Sequence, residues 1–260
     1  MVVMIPFICG YMKALLFTDL HGSEKTLKKI FDFISNPANQ IKMMLFAGDF
    51  VNMGEPLEYQ KKFIQLHTLN SVPLFWVPGN NDFGRSYKLM MKYLPSVEGR
   101  VEEYQNHKIT GVGGSPASWS GEYQGETGIK AEDLKDSIFL SHQPPPGLSN
   151  LIKFDKQDTI TKKPHFALRA TRGKQDTIKS QIKNDQIPNQ NVILSGAKNF
   201  NTTTMKQFSY APRIHICGHI HNQWGIGYIG GTKVVKLAAS YLGFAAIMDL
   251  ETLMVAFIEL

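Results

Sequence analysis

Five times along this chain a short apolar run stops at a small set of Asp, Asn or His residues. Asp19 and His21 follow Ala14-Leu15-Leu16-Phe17, and Gly48-Asp49 follows Met43-Met44-Leu45-Phe46. Asn80, Asn81 and Asp82 follow Val72 to Val77 and the Pro78-Gly79 break. His142 follows Ile138-Phe139-Leu140, and His219 and His221 follow Ile214-His215-Ile216-Cys217. Between the first three runs the apolar spacing changes to that of a helix. Ser23 to Ile34 places Leu27, Ile30, Phe31 and Ile34 on one face behind Ser23 as N-cap. Further helices are expected over Glu55 to Leu69 and Arg85 to Tyr93. Strands alternating with helices predict βαβ units and parallel pairing. In an open α/β sheet, ligands bind beyond the carboxyl ends of the strands, so all five polar sets are expected along one edge.

The second half reads differently. Strands are expected at His107 to Val112, Ser137 to Ser141, Arg213 to Cys217, Val234 to Leu237, Phe244 to Asp249 and Met254 to Glu259. Their short turns predict a more antiparallel second sheet. Pro144 to Pro212 is polar, basic and nearly low in complexity from Asn199 to Thr204, and it reads as a loop or insertion (144–212) with one helix over Lys174 to Lys183. The formal charge of +6 is concentrated there: twelve Lys and Arg face four acids between residues 153 and 213, a local +8 that leaves −2 for the rest. That stretch is either a solvated insertion or a patch for a polyanion, with a nucleic-acid backbone as the partner it suits.

The 260 residues, 43% of them apolar, are read as one domain over 12–260 with 1–11 as an N-terminal extension or an added edge strand. Residues 1–11 lack a basic leading region and are interrupted by Pro6, which argues against a secretory signal. No uninterrupted apolar run of membrane-spanning length is present, and two cysteines, Cys9 and Cys217, fit a reducing compartment. The expected location is cytoplasmic.

The donor set of the five clusters decides the chemistry. Asp19, Asp49, Asn80, His21, His142, His219 and His221 offer two carboxylates, an amide oxygen and four imidazoles. Such a mixed N/O set suits first-row transition metals rather than Mg or Ca alone. Seven ligands exceed one tetrahedral ion and suffice for two if a carboxylate bridges, the arrangement used for hydrolysing phosphate esters. Gly218-His219-Ile220-His221 is the sharpest single signal, since it sets two imidazoles on one turn. Gly111 to Ser115 has the glycine density of a phosphate loop but no Lys-Ser/Thr after it, so it reads as a turn beside the metal edge. Trp119 and Tyr123 are candidates for the wall of a substrate pocket, and Arg85 for a phosphate contact.

Taken in order, these clusters resemble the five blocks of the calcineurin-like metallophosphoesterase superfamily: D-x-H, G-D, G-N-[HCN]-[DE], H and G-H-x-H. They stand here as Asp19-Leu20-His21, Gly48-Asp49, Gly79-Asn80-Asn81-Asp82, His142 and Gly218-His219-Ile220-His221, within a resemblance spanning 13–260 apart from the insertion. The resemblance implies a four-layer α-β-β-α sandwich with two mixed sheets, the metallo-dependent phosphatase-like α/β fold. It implies two divalent metal ions, with Mn, Fe, Zn, Ni or Co all suited. Asp19, His21 and His221 would bind one; Asn80, His142 and His219 the other; Asp49 would bridge. The implied reaction is hydrolysis of a phosphate ester by a hydroxide shared between the ions, with Asp49, Asn80, Asn81 and Asp82 as the catalytic set.

One position departs from the common pattern. Asn81 stands where many members carry a His paired to the following acid. An amide donates a hydrogen bond but no proton, and general acid catalysis is worth about 10²–10⁴-fold. This points to a phosphodiesterase for a small or nucleotide-like ester, or to another proton donor such as His107 or His165, with Asp82 orienting Asn80 or capping the next helix. A nuclease, a phosphomonoesterase and a non-catalytic scaffold are the alternatives. Leu237-Ala238-Ala239-Ser240 replaces the Asn-Pro-Gly that relatives often have, which puts a substrate contact there in doubt.

Overall fold

A computed structural model describes residues 12–114, 129–145, 152–153 and 212–260. The expected extension at 1–11, Ser115, Trp119, Tyr123, His165, the helix over 174–183 and nearly all of the basic segment lie outside these residues. In chain order the elements are β1 (Lys13–Phe17), α1 (Glu24–Ser35), β2 (Ile41–Phe46), α2 (Glu58–Asn70), β3 (Leu74–Trp76), α3 (Gly84–Tyr93), β4 (Val101–Tyr104) and β5 (His107–Val112). There follow α4 (Ala131–Leu134), β6 (Ile138–Ser141), β7 (Ile152–Lys153), β8 (Ile214–Cys217), β9 (Gln223–Ile229), β10 (Thr232–Lys236), β11 (Phe244–Asp249) and β12 (Val255–Glu259). Two mixed sheets result, ordered β12-β11-β1-β2-β3 and β4-β5-β6-β8-β10-β9-β7.

Period-2 alternation explains the layers. In β1, Leu15 and Phe17 join the core under the helices, while Ala14 and Leu16 join the core between the sheets. A strand buried on both faces therefore appears as an unbroken apolar run. β2 keeps the same division through a bulge: Lys13 pairs with Ile41 but Ala14 pairs with Met43. The extra residue, Lys42, lets Ile41, Met44 and Phe46 face the helices while Met43 and Leu45 face the second sheet. α1 buries Leu27, Ile30, Phe31 and Ile34, and Ser23 accepts a 3.3 Å hydrogen bond from the Thr26 amide. Such a cap stabilises by about 1 kcal/mol. α2 begins at Glu58 rather than Glu55, because a residue before proline is pushed out of helical backbone and Glu55 precedes Pro56. Leu134 of α4 packs with Val112 and Phe139 on the outer face of the second sheet.

The parallel pairing expected for the first three strands is present. The second sheet, expected to be the more antiparallel one, is antiparallel only toward its edges. Its centre, β5-β6-β8-β10, is parallel, and only β4, β9 and β7 pair antiparallel. β11 and β12 leave that sheet and extend the first one beside β1. They do form a hairpin, and it joins the first sheet because Ala245, Ile247 and Ile258 pack in the core under the helices. Among the described residues no helix is long and apolar enough to cross a membrane.

Candidate metal centre

The parallel strands of both sheets end at one edge, and the five polar sets emerge there. The backbone turns sharply at three of them: Asp19, His21, Asp49 and His219 have φ of 51°, 44°, 64° and 73°. Non-glycine residues in this left-handed region are uncommon, and their clustering marks loops held in place by surrounding structure. The β1 and β2 loops are laced together by Asp19 N to Gly48 O at 2.8 Å, Leu20 N to Asp49 O at 2.8 Å and Gly22 N to Phe50 O at 2.9 Å. The Gly218 amide donates to His142 O at 2.9 Å, and the Tyr241 amide to Asp19 O at 3.1 Å. Separate stretches of chain thus share one hydrogen-bonded base.

The structure brings all seven expected donors together. His21 Nε2 lies 3.0 Å from His221 Nε2, and Asp19 Oδ1 lies 3.3 Å from the latter. His142 Nε2 lies 2.9 Å from Asn80 Oδ1, and His219 Nδ1 is 3.1 Å from that oxygen and 3.2 Å from His142 Nε2. Asp49 Oδ2 stands between the two groups, 3.7 Å from His21 Nε2 and 3.4 Å from His142 Nε2. Two overlapping sets, Asp19-His21-His221 and Asp19-Asp49-His142, keep one donor atom per residue within 4.8 Å of each other.

The partners behind these groups turn their lone pairs inward. His142 Nδ1 donates to Ala47 O at 2.7 Å and His21 Nδ1 to Asn52 Oδ1 at 2.9 Å, so each presents Nε2 to the centre. His221 Nδ1 meets the Tyr241 hydroxyl at 3.2 Å. Asp19 Oδ2 accepts from the Thr18 hydroxyl and the His219 amide, whereas buried Asp19 Oδ1 accepts no hydrogen bond. A buried carboxylate oxygen without a donor, among facing imidazole nitrogens, is costly unless positive charge sits between them. The donor types and their convergence fit divalent cations.

Electrostatics agree. Burial opposes ionisation of Asp19, but the imidazoles of His21 and His221 and the charge of His142 outweigh it and hold the carboxyl well below its usual range. Burial also opposes charge on His142, yet Asp49 and Asp19 raise it to about 9. His219 is pushed down to about 4 by burial and the neighbouring His142. The carboxylates therefore stay ionised, and their charge is balanced by a proton on His142 or by a metal ion.

Asn81 and Asp82 act on Asp49. Asn81 donates through its amide nitrogen to Asp49 Oδ1 at 2.9 Å and through Nδ2 to Oδ2 at 2.7 Å. Asp82 accepts from the amides of Asp49, Phe50 and Gly79 at 2.7, 2.9 and 2.9 Å. The expectation that Asp82 caps the next helix is corrected: Phe83 is the N-cap of α3 and has no side-chain cap. Burial and the charge of Asp49 raise Asp82 to about 7. His107, expected as an alternative proton donor, begins β5, whose other end, Val112, pairs with Ser141 just before His142. It thus lies at the opposite edge of the sheet. Gly113 and Gly114 do flank the site, since the Gly114 amide donates to Pro78 O at 2.8 Å. Arg85 is exposed in the first turn of α3. Thr18, Asn52 and Tyr241 escaped the sequence reading, since nothing local shows which imidazole or carboxylate they reach.

A family model described as calcineurin-like phosphoesterase matches residues 12–223. An uncharacterized protein of Methanocaldococcus jannaschii is 24% identical over 236 residues, which cover 87% of this chain and 88% of that one. An uncharacterized metallophosphoesterase of Helicobacter pylori is 31% identical over 90 residues, 33% of this chain and 24% of its own. A crystal structure from Thermus thermophilus superposes with a TM-score of 0.54 at 14% identity, covering 96% of this chain and 99% of that one. A second crystal structure reaches 0.60 at 15% identity with the same coverage. Likeness at those identities is likeness of fold.

Proposed function

The chain belongs to the calcineurin-like phosphoesterase family, whose members are metal-dependent phosphoester hydrolases, and on that premise we propose that it is a phosphodiesterase with a two-ion centre. Asp19, His21 and His221 hold one ion, Asn80, His142 and His219 the other, and Asp49 serves both. Bound divalent cations supply charge neutralisation at the phosphoryl oxygens and lower the pKa of water toward neutrality. The protein's own residues keep that centre in shape. Ala47 O and Asn52 hold the His142 and His21 rings, Asp82 pins the Asp49 loop through two amides and its own loop through that of Gly79, and Asn81 aims the Asp49 carboxylate.

The observation that carries the diesterase reading is the side chain of Asn81. It donates to Asp49 Oδ2 and, standing where many members carry a His, gives the site an amide, which brings neither a proton nor a positive charge. Either ester expels an alkoxide that needs a proton, but a phosphomonoester dianion also carries a second negative charge for the site to neutralise. A diester carries one negative charge and tolerates the loss, above all with a stabilised leaving group. Turnover of bis(p-nitrophenyl) phosphate is expected to exceed turnover of phosphoserine peptides under identical metal loading. Equal or reversed rates would reject the diesterase assignment.

Metal uptake should depend on pH. His142 titrates near 9, above its ordinary value, so at pH 7 it holds a proton that ligation must displace. Affinity for Mn(II) is therefore expected to rise with pH, by up to about tenfold per unit between 7 and 9. Calorimetry in two buffers of different ionisation enthalpy should register proton release at pH 7.5. A flat profile without proton release removes His142 from the ligand set.

A further inference from the structure

The segment Gly218 to Asn222 carries two of the seven donors and has an awkward path. It joins β8 to β9, yet β10 lies between those strands in the sheet. The loop must therefore pass over the carboxyl end of β10, where its carbonyls have no strand to pair with. The last residue of β10 is Lys236, in register with Cys217 of β8 on one side and Gly225 of β9 on the other. It stands directly below the crossing loop.

Lys236 is fully buried, which is rare for a lysine. Its Nζ donates to Ile220 O at 2.9 Å and to Leu237 O at 2.6 Å. Ile220 is the residue between His219 and His221, and its carbonyl also accepts from the Gln223 amide at 3.2 Å. Leu237 begins the segment that runs to Tyr241, the partner of His221 Nδ1. One ammonium group thus ties the loop bearing both histidines to the segment that orients one of them.

We infer that Lys236 is a positioning residue of the metal centre: it fixes the crossing loop so that His219 and His221 face the carboxylates before any ion arrives. This rests on those two histidines being ligands. Electrostatics and positioning predict opposite signs. An ammonium buried beside a cation site repels cations, so if its charge were its main effect, removing it would tighten metal binding. If it holds the loop, removing it weakens binding, and partners behind metal ligands are typically worth about 10–100-fold in affinity.

The test is titration of chelator-stripped full-length protein with manganese(II) chloride by calorimetry. Lys236→Met, of similar length but without a donor, is expected to bind about 10–100-fold more weakly than wild type. Lys236→Gln keeps an N–H donor one bond shorter and should lie between the two. Equal or tighter binding by Lys236→Met overturns the inference. If Lys236→Met gives no cooperative melt, Lys236→Gln decides alone: weaker binding supports the positioning role, and equal or tighter binding overturns it. Absence of Mn(II) binding by wild type would strike the metal-centre reading, a result distinct from failure of the Lys236 variants.

Discussion

Asp49→Ala is expected to leave no phosphodiesterase activity above background and to lose most of the bound metal. Its Oδ2 is placed against imidazoles of both donor groups, 3.7 Å from His21 Nε2 and 3.4 Å from His142 Nε2. Without it each group keeps only three donors from its own side, and nothing holds two cations close together. The fold should survive. Burial and the charge of Asp19 oppose ionisation of Asp49, His142 and His21 outweigh them, and after burial it is the charge of Asp49 that raises Asp82 to about 7. Removing it relieves both repulsions, and Asp82 keeps its three backbone amides. The informative measurements are metal content by elemental analysis, turnover of bis(p-nitrophenyl) phosphate, and the melting midpoint of chelator-treated protein. Wild-type activity in a folded variant would remove Asp49 from the mechanism. The titration of Asp82 adds an independent readout: it should move down toward the ordinary carboxylate range once Asp49 is gone.

The donors were legible in the sequence because each follows an apolar strand, and parallel strands deliver their following residues to one edge. Asp19, Asp49, Asn80, His142 and His219 needed no knowledge of tertiary contacts beyond that rule. Ser23 was legible for a similar reason, since capping is a local interaction three residues long. The illegible parts depend on contacts between distant residues. Val101–Tyr104 carries two central glutamates and Gln223–Ile229 is interrupted by Gly225 and Gly227, and both form because a neighbour with free backbone groups lies alongside. β11 and β12 read as continuing the second sheet, but sheet membership is set by the core under the helices, which takes Ala245, Ile247 and Ile258, not by the length of a turn. Asp82 looked like a cap because it stands just before a helix. Its carboxylate instead meets amides from residues 49 and 50, more than thirty positions earlier. Lys236 appears in the sequence as a polar residue ending a strand, and only the β8-β10-β9 order shows what it stands beneath.

Gly79→Ala is expected to cost about 100-fold or more in kcat/KM, although position 79 neither binds metal nor donates a proton. Its sequence context suggests a turn glycine, chosen for a left-handed backbone. The structure gives another reason, because Gly79 is absent from the residues with positive φ. A Cβ built there collides with Asp49 Oδ1 and the Asp49 amide nitrogen, and lies 2.5 Å from Asp49 Cγ. Two of these atoms belong to the Asp49 side chain, which Asn81 holds through both carboxylate oxygens, and the third is backbone, so none moves aside freely. The neighbouring Gly48 is constrained in return: its φ is 97°, and a Cβ there would stand 2.8 Å from His142 Nδ1. An alanine at 79 must push the Asp49 loop away from the Asn80 loop. That separates the shared carboxylate from Asn80 and strains the Asp82 contacts to both loops. Displacing reacting groups by about 1 Å can cost on the order of 10²-fold in rate, whereas forcing a methyl into a packed site costs roughly 1–3 kcal/mol of stability. The variant should therefore remain folded at 25 °C with a lowered melting midpoint, and lose activity far beyond what that loss of stability explains. Near wild-type kcat/KM together with a lowered melting midpoint would mean that the loops can separate without disturbing Asp49, and that the tight contact serves folding alone.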